Sequence, residues 1–167
     1  FDGTFALPEA QLDRFLVRAR IGYPDAASEA RIARRHQADA EPLDRIAPVA
    51  TGDELLRLRE AVRTVRVADE VEAYLVALVR ATRQHQDLSL GASPRATVAL
   101  YRAAQAAAVL DGRSWVMPDD VKALATPVLA HRLVVDLDHG LRGATAESAL
   151  AGVLERTPVP PVAEPGT

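Results

Sequence analysis

The sequence contains no cysteine and no asparagine, and Lys122 is its single lysine. Without cysteine there can be no disulfide and no thiolate metal site, and the composition is compatible with a reducing cytosol. A lone lysine set in Asp120-Val121-Lys122-Ala123 excludes from these residues the glycine loop followed by Lys-Ser or Lys-Thr that cradles phosphates. No apolar run approaches the ~20 residues that span a bilayer. The first residues lack the basic-then-apolar pattern of a signal peptide, so no membrane insertion is expected. A net charge of -3 argues against a general affinity for the nucleic-acid backbone, which needs a basic face. His36, His85, His131 and His139 share no ligand spacing of the H-E-x-x-H kind, so no metal site is expected and the histidines read as surface or core residues. The chain opens on Phe1-Asp2-Gly3 rather than on methionine and reads as a piece of something longer.

What remains is 49% hydrophobic and 26% charged, a composition typical of a globular chain. Its periodicity is mostly helical. Leu7-Pro8-Glu9 opens a short helix to about Arg14, with proline at the first helical position and an acid near the positive helix end. From Phe15 to Ile21 the pattern alternates, with Val17, Ala19 and Ile21 on one face, and predicts a strand. Gly22-Tyr23-Pro24 ends it, and a helix is expected from Asp25 to Gln37. Arg31, Arg34 and Arg35 on that helix read as a solvated face. Thr51 and Glu54 form a T-x-x-E capping box before Leu55, Leu58 and Val62, and a long helix follows, with Val71, Tyr74, Leu75, Leu78, Val79 and Thr82 at helical spacing. Asp69-Glu70 is an acid pair suited to a helix start; the Arg66 before it interrupts the buried strand that a catalytic acid pair would require.

Gly91-Ala92 break the helical pattern, and Ser93-Pro94 provide an N-cap and first position for an alanine-rich helix to Leu110. Asp111-Gly112 turns the chain, Trp115 is expected to plug the core at that turn, and Pro118-Asp119-Asp120 opens a helix that Pro127 should kink or divide. A weaker helix is read over residues 145–156. A lone strand needs partners, so residues 1–22 read as the end of a truncated α/β core, a helix with a single left-over strand. Residues 23–52 read as a linker helix and loop, 53–157 as a helical domain with its own core, and 158–167 as a Pro-rich disordered tail. The fold class is mainly α.

Three segments carry a family resemblance. Phe1-Asp2-Gly3-Thr4 followed by Leu7-Pro8-Glu9-Ala10-Gln11-Leu12-Asp13-Arg14-Phe15 closely resembles the MoxR branch of the AAA+ ATPases. Gly91-Ala92-Ser93-Pro94-Arg95-Ala96 is similar to the sensor 2 motif of that family. Asp111-Gly112-Arg113 with Val116-Met117-Pro118-Asp119-Asp120-Val121 is similar to its lid helix–turn–helix, with Met117 where a threonine N-cap is usual, a difference of ~1 kcal/mol in capping. The three lie in family order across residues 1–135. The resemblance implies that residues 53–157 are the helical AAA+ lid and that the nucleotide-binding loop, the Walker B acids and a sensor 1 asparagine belong upstream of Phe1.

The resemblance also implies roles for two arginines. Read from residues alone, Arg14 is a cation favoured at a helix C-terminus, or one paired with Asp13; the family pattern makes it an arginine finger, acting in trans on ATP held by a neighbouring subunit. Arg95 sits in the first turn of its helix, where the dipole disfavours a cation. A bound phosphate would relieve that conflict, and folding back onto a carboxylate would do so too; the family pattern makes Arg95 the sensor 2 contact to ATP phosphate. ATP with Mg2+ is accordingly expected in the full-length protein, and none held tightly by this piece. The implied setting is cytoplasmic, in a homo-oligomeric ring, a hexamer, that matures or activates client proteins with von Willebrand A domains. Two other readings stand beside it. One is a non-enzymatic helical adaptor or DNA-binding module, against which Asp119 and Asp120 would repel phosphates; the other is the lid of a magnesium-chelatase-like AAA+ subunit.

Overall fold

The computed structural model describes residues 7–35 and 46–161. The Phe1–Thr4 run, His36 and residues 162–167 of the expected tail lie outside them; residues 158–161 carry no regular element. The described chain is mainly helical. Its elements are α1 (Glu9–Leu12), α2 (Ala26–Arg35), α3 (Gly52–Thr64), α4 (Asp69–Thr82), β1 (Leu88–Leu90), α5 (Pro94–Leu110), α6 (Pro118–Leu129), β2 (Val134–Val135), α7 (Leu137–Leu141) and α8 (Ala146–Arg156), with a single 3-10 turn at Ala130–Arg132 between α6 and β2.

Two compact units divide these residues. One joins the described residues up to Arg18 with those from Glu60 onward, and the other comprises the described part of Ala19–Arg59. In the smaller unit, Asp25 caps α2 by accepting the Ser28 N–H at 2.6 Å, and Arg31, Arg34 and Arg35 form an exposed face as expected. The capping box of α3 forms as read: Glu54 accepts the Thr51 N–H at 2.6 Å, and the Thr51 hydroxyl accepts the Glu54 N–H at 3.2 Å.

The larger unit has a conventional helical core. Val71, Tyr74, Leu75, Leu78 and Val79 repeat at three- and four-residue intervals and bury one face of α4. Ala96, Ala99, Leu100, Ala103, Ala104 and Ala108 do the same for α5, and their short side chains let α6 lie close, with Val121, Ala125, Val128 and Leu129 facing inward. Leu150 and Val153 of α8 complete the cluster. Asp69, Glu70 and Glu72 occupy the first turn of α4, where the helix dipole favours them.

Some local features differ from the sequence reading or refine it. Two helices, α3 and α4, occupy the stretch from Gly52 to Thr82, the second carrying Val71 to Thr82 as read. The β-branched run from Val62 leaves the helix at Val65; the Arg66 N–H bonds the Ser114 carbonyl and the Val116 N–H bonds the Arg66 carbonyl, each at 2.9 Å, in a parallel bridge between Arg66 and Trp115. Buried Gln105 donates to the freed Val65 carbonyl at 2.8 Å, so the break leaves that group satisfied.

No strand forms over Phe15–Ile21, which carries no regular element. Its backbone is held by side chains and single bonds instead, such as the Arg18 N–H to the Pro127 carbonyl at 2.9 Å. The small antiparallel ladder in the described chain lies elsewhere, pairing Leu88 with Val135 and Leu90 with Val134. Pro127 does not divide α6; it sits in the last turn, two residues before the helix ends at Leu129 and tightens into the 3-10 turn. Finally, Trp115 is only half-buried, and its neighbour Val116, 2% exposed, fills the core at the turn.

Candidate functional site

The site is built around the start of α5. At the end of α4, the buried Thr82 hydroxyl donates to the Val79 carbonyl at 2.6 Å and accepts the Ala92 N–H at 2.9 Å. Arg83 Nε donates to the Ala92 carbonyl at 2.8 Å. These bonds draw the 91–93 loop onto the α4 terminus so closely that a Cβ on Gly91 would stand 2.5 Å from the Arg83 Cα. Glycine is required there by space. The loop in turn sets where α5 begins and how its first turn points.

Ser93 precedes that helix but makes no side-chain cap. Its hydroxyl donates instead to the Asp13 carboxylate, 3.1 Å from both oxygens. Asp13 closes α1, and its Oδ1 also receives Arg132 Nη1 at 2.8 Å. Arg132 is a buried guanidinium, its side chain 2% exposed, and it further donates to the carbonyls of Asp13 (2.7 Å), Phe15 (2.6 Å) and Val128 (2.8 Å). The charge is taken from water but every contact is a charge-assisted hydrogen bond or an ion pair, which makes such burial tolerable. Glu9, Asp13, Arg83, Gly91, Ser93 and Arg132 line a cleft of about 690 Å³ beside this network.

Arg14 and Arg95, the two arginines singled out by sequence, lie one residue from Asp13 and two from Ser93. Both are exposed, and among the described residues neither has a side-chain partner. The pairing of Arg14 with Asp13 is not made, because Arg132 and Ser93 hold that carboxylate. Nor does Arg95 fold back onto an acid; the first turn of α5 contains none. The structure therefore brings the backbones of the two arginines to one network and leaves both guanidinium groups to solvent.

Asp13, Ser93, Arg83 and Arg132 were not singled out by sequence as site residues. Only Arg132 carried a signal, a cation inside the otherwise apolar run Ala130 to Val135 broken only by His131.

The turn between α5 and α6 is fastened separately. Arg113 forks onto Asp120 (2.8 and 2.7 Å) and Asp111 (2.8 Å), and these carboxylates push its already high pKa further up. Asp120 also accepts the Met117 N–H at 2.7 Å. Half of a capping box is thus kept although Met117 offers no hydroxyl.

His131 adds a pH dependence. Its Nε2–H donates to the Phe15 carbonyl at 3.0 Å, while Nδ1 is buried without a partner. Burial, with the nearby Arg132 and Arg18 charges, lowers its pKa below the usual histidine value. A depressed folded-state pKa gives stability that is complete above the unfolded histidine value of about 6.5 and is lost as pH falls toward the folded value. Urea midpoints should therefore decline as pH falls below about 6.5, and His131→Gln, which still offers an amide to Phe15, should flatten that decline. An unchanged slope in the variant would assign it elsewhere.

Comparison with known proteins yields a consistent set. The AAA lid domain family matches residues 80–152. The protein YeaC of Bacillus subtilis is 38% identical over 160 residues, 96% of this chain and 50% of that protein. Chaperone MoxR1 of Mycobacterium tuberculosis is 35% identical over 170 residues, 96% of this chain and 44% of that protein. A crystal structure of a "putative ATPase" from Cytophaga hutchinsonii superposes with a TM-score of 0.87 at 28% identity, covering 96% of this chain and 51% of that one. The chain spans about half the length of the curated relatives it matches.

Proposed function

Because the chain belongs to the MoxR-type AAA+ ATPases, we propose that it is the sensor and lid part of a ring-forming motor whose full-length form hydrolyses ATP with Mg2+. In this reading Arg14 is the finger, reaching ATP bound by the neighbouring subunit, and Arg95 is the sensor 2 contact to phosphate. The observation that carries the reading is that both guanidinium groups are exposed and unpartnered among the described residues, while the backbones beside them are held by one buried network. A cation in an acid-free first helical turn is a local conflict that an anionic ligand resolves. Arg95 and the N–H groups of the first turn of α5 suit a phosphate. The ring is a hexamer in a cytoplasmic setting, and its work is chaperone-like maturation of clients with von Willebrand A domains, a role in keeping with the chaperone name of the mycobacterial relative.

The test is Arg95→Ala in the full-length protein. Nucleotide affinity, followed with a fluorescent ATP analogue, should weaken and turnover should fall, since this group touches the ground-state phosphate as well as developing charge. Unchanged affinity together with unchanged turnover would remove Arg95 from the site. The present chain by itself should turn over no ATP above a blank, because it has neither a Lys-Ser/Thr loop nor a strand-borne acid pair. Phosphate release that persists through repurification would contradict that expectation.

A further inference from the structure

Between α6 and β2 the chain spends a buried cation on a stretch of backbone that belongs to no helix. The four hydrogen bonds of Arg132 go to Val128 within its own segment, to the Asp13 carboxylate, and to the carbonyls of Asp13 and Phe15. Those two carbonyls stand on either side of Arg14. His131 adds a second donor to the Phe15 carbonyl at 3.0 Å. On the other side Ser93, the residue before α5, holds the Asp13 carboxylate. The Arg14 side chain takes no part in any of this and remains exposed.

A four-residue helix such as α1 has little stability of its own, and among the described residues no strand pairs with the segment after it. The clamp fixes the backbone on both sides of Arg14 directly, through the carbonyls of Asp13 and Phe15. A buried ion pair is a poor device for stability alone, since apolar residues of similar volume commonly serve as well or better. Its particular property is directional: a planar guanidinium holds two carbonyls and a carboxylate at set angles.

We propose that Arg132 is the positioning residue for Arg14, clamping the backbone on both sides of it and tying it through Asp13 and Ser93 to the start of α5. The inference rests on the finger reading of Arg14. Arg132 touches neither nucleotide nor reacting atoms; it acts by limiting where the Arg14 guanidinium can be when the neighbouring subunit presents its phosphate. Loss of positioning appears in kcat, because a loosely held cation still fails to meet developing charge even when substrate binds normally.

The experiment is a double-mutant cycle in the full-length protein, with single-turnover rates at saturating ATP and KM measured separately. Arg132→Met should lower kcat by about tenfold or more with KM changed less than about twofold. Arg132→Lys keeps the charge but loses the fork, and should recover part of the rate. Adding Arg132→Met to Arg14→Ala should cost less than about a further twofold, because there is no longer a finger to position. Unchanged turnover in Arg132→Met, or losses that multiply in the double variant, would overturn the proposal. Should Arg14→Ala alone leave kcat intact, the finger reading itself fails, and the positioning role falls with it. If Arg132→Met does not fold, Asp13→Asn, which keeps the shape and removes the ion pair, is judged by the same cycle.

Discussion

Replacing Arg14 with alanine in the full-length protein should lower ATP turnover by ~10³ or more, the scale of trans-acting arginine fingers, while leaving nucleotide binding nearly unchanged. The reasoning starts from geometry. Arg14 is exposed, has no partner among the described residues, and is flanked by two carbonyls that Arg132 clamps. Its removal leaves no buried charge unsatisfied, so the fold should lose less than ~0.5 kcal/mol, as surface substitutions usually do. A group that meets charge only as the phosphate bond breaks contributes to kcat and not to ground-state affinity. Mixed rings give the sharper check. Subunits inactivated at the Walker B acids but retaining Arg14 should restore turnover to Arg14→Ala subunits, because each supplies what the other lacks across one interface. Mixed rings that assemble and stay as inactive as either parent would return Arg14 to the role of a helix-terminal cation.

The parts of this arrangement that sequence made legible are those with local causes. The α3 capping box, the acidic first turn of α4 and the apolar repeats of α4, α5 and α6 follow from spacing within a few residues, and each forms where it was read. What sequence could not carry depends on long-range contacts. The alternation over Phe15–Ile21 is a strand pattern, but with no neighbouring strand for it among the described residues the backbone bonds to Arg132 and Pro127 instead. The break between α3 and α4 depends on Gln105 and Ser114, forty and forty-eight residues away from their partners Val65 and Arg66 in the chain. Trp115 and Val116 could not be told apart by hydrophobicity; the bridge to Arg66 decides which turns inward. Ser93 has the chemistry of an N-cap, yet an acceptor eighty residues upstream, Asp13, claims its hydroxyl.

The same distinction yields the second large expectation, at Gly91. Sequence marks it as a helix breaker, which would make alanine a mild change. The structure makes it a close-approach position: the Cβ of alanine would lie 2.5 to 2.7 Å from the backbone atoms of Thr82 and Arg83, with no flexible side chain able to yield. Gly91→Ala should therefore destabilise the lid by about 1–3 kcal/mol, the cost of overpacking. Relief can come only by moving the 91–93 loop off the α4 terminus, which stretches the Thr82 and Arg83 bonds to Ala92 and shifts the start of α5. Arg95 moves with it, and a displacement on the order of 1 Å at a phosphate contact is enough to reduce turnover by about a hundredfold.

Gly52→Ala supplies the control. Gly52 opens α3 with nothing within 4 Å of a Cβ, so alanine should be neutral or stabilising by about 0.4–1 kcal/mol through the unfolded chain. Urea midpoints should thus fall for Gly91→Ala and hold or rise for Gly52→Ala, and steady-state turnover should fall for Gly91→Ala alone. A Gly91→Ala protein that unfolds and turns over like the parent would mean that the α4 terminus does not hold the sensor 2 helix in place.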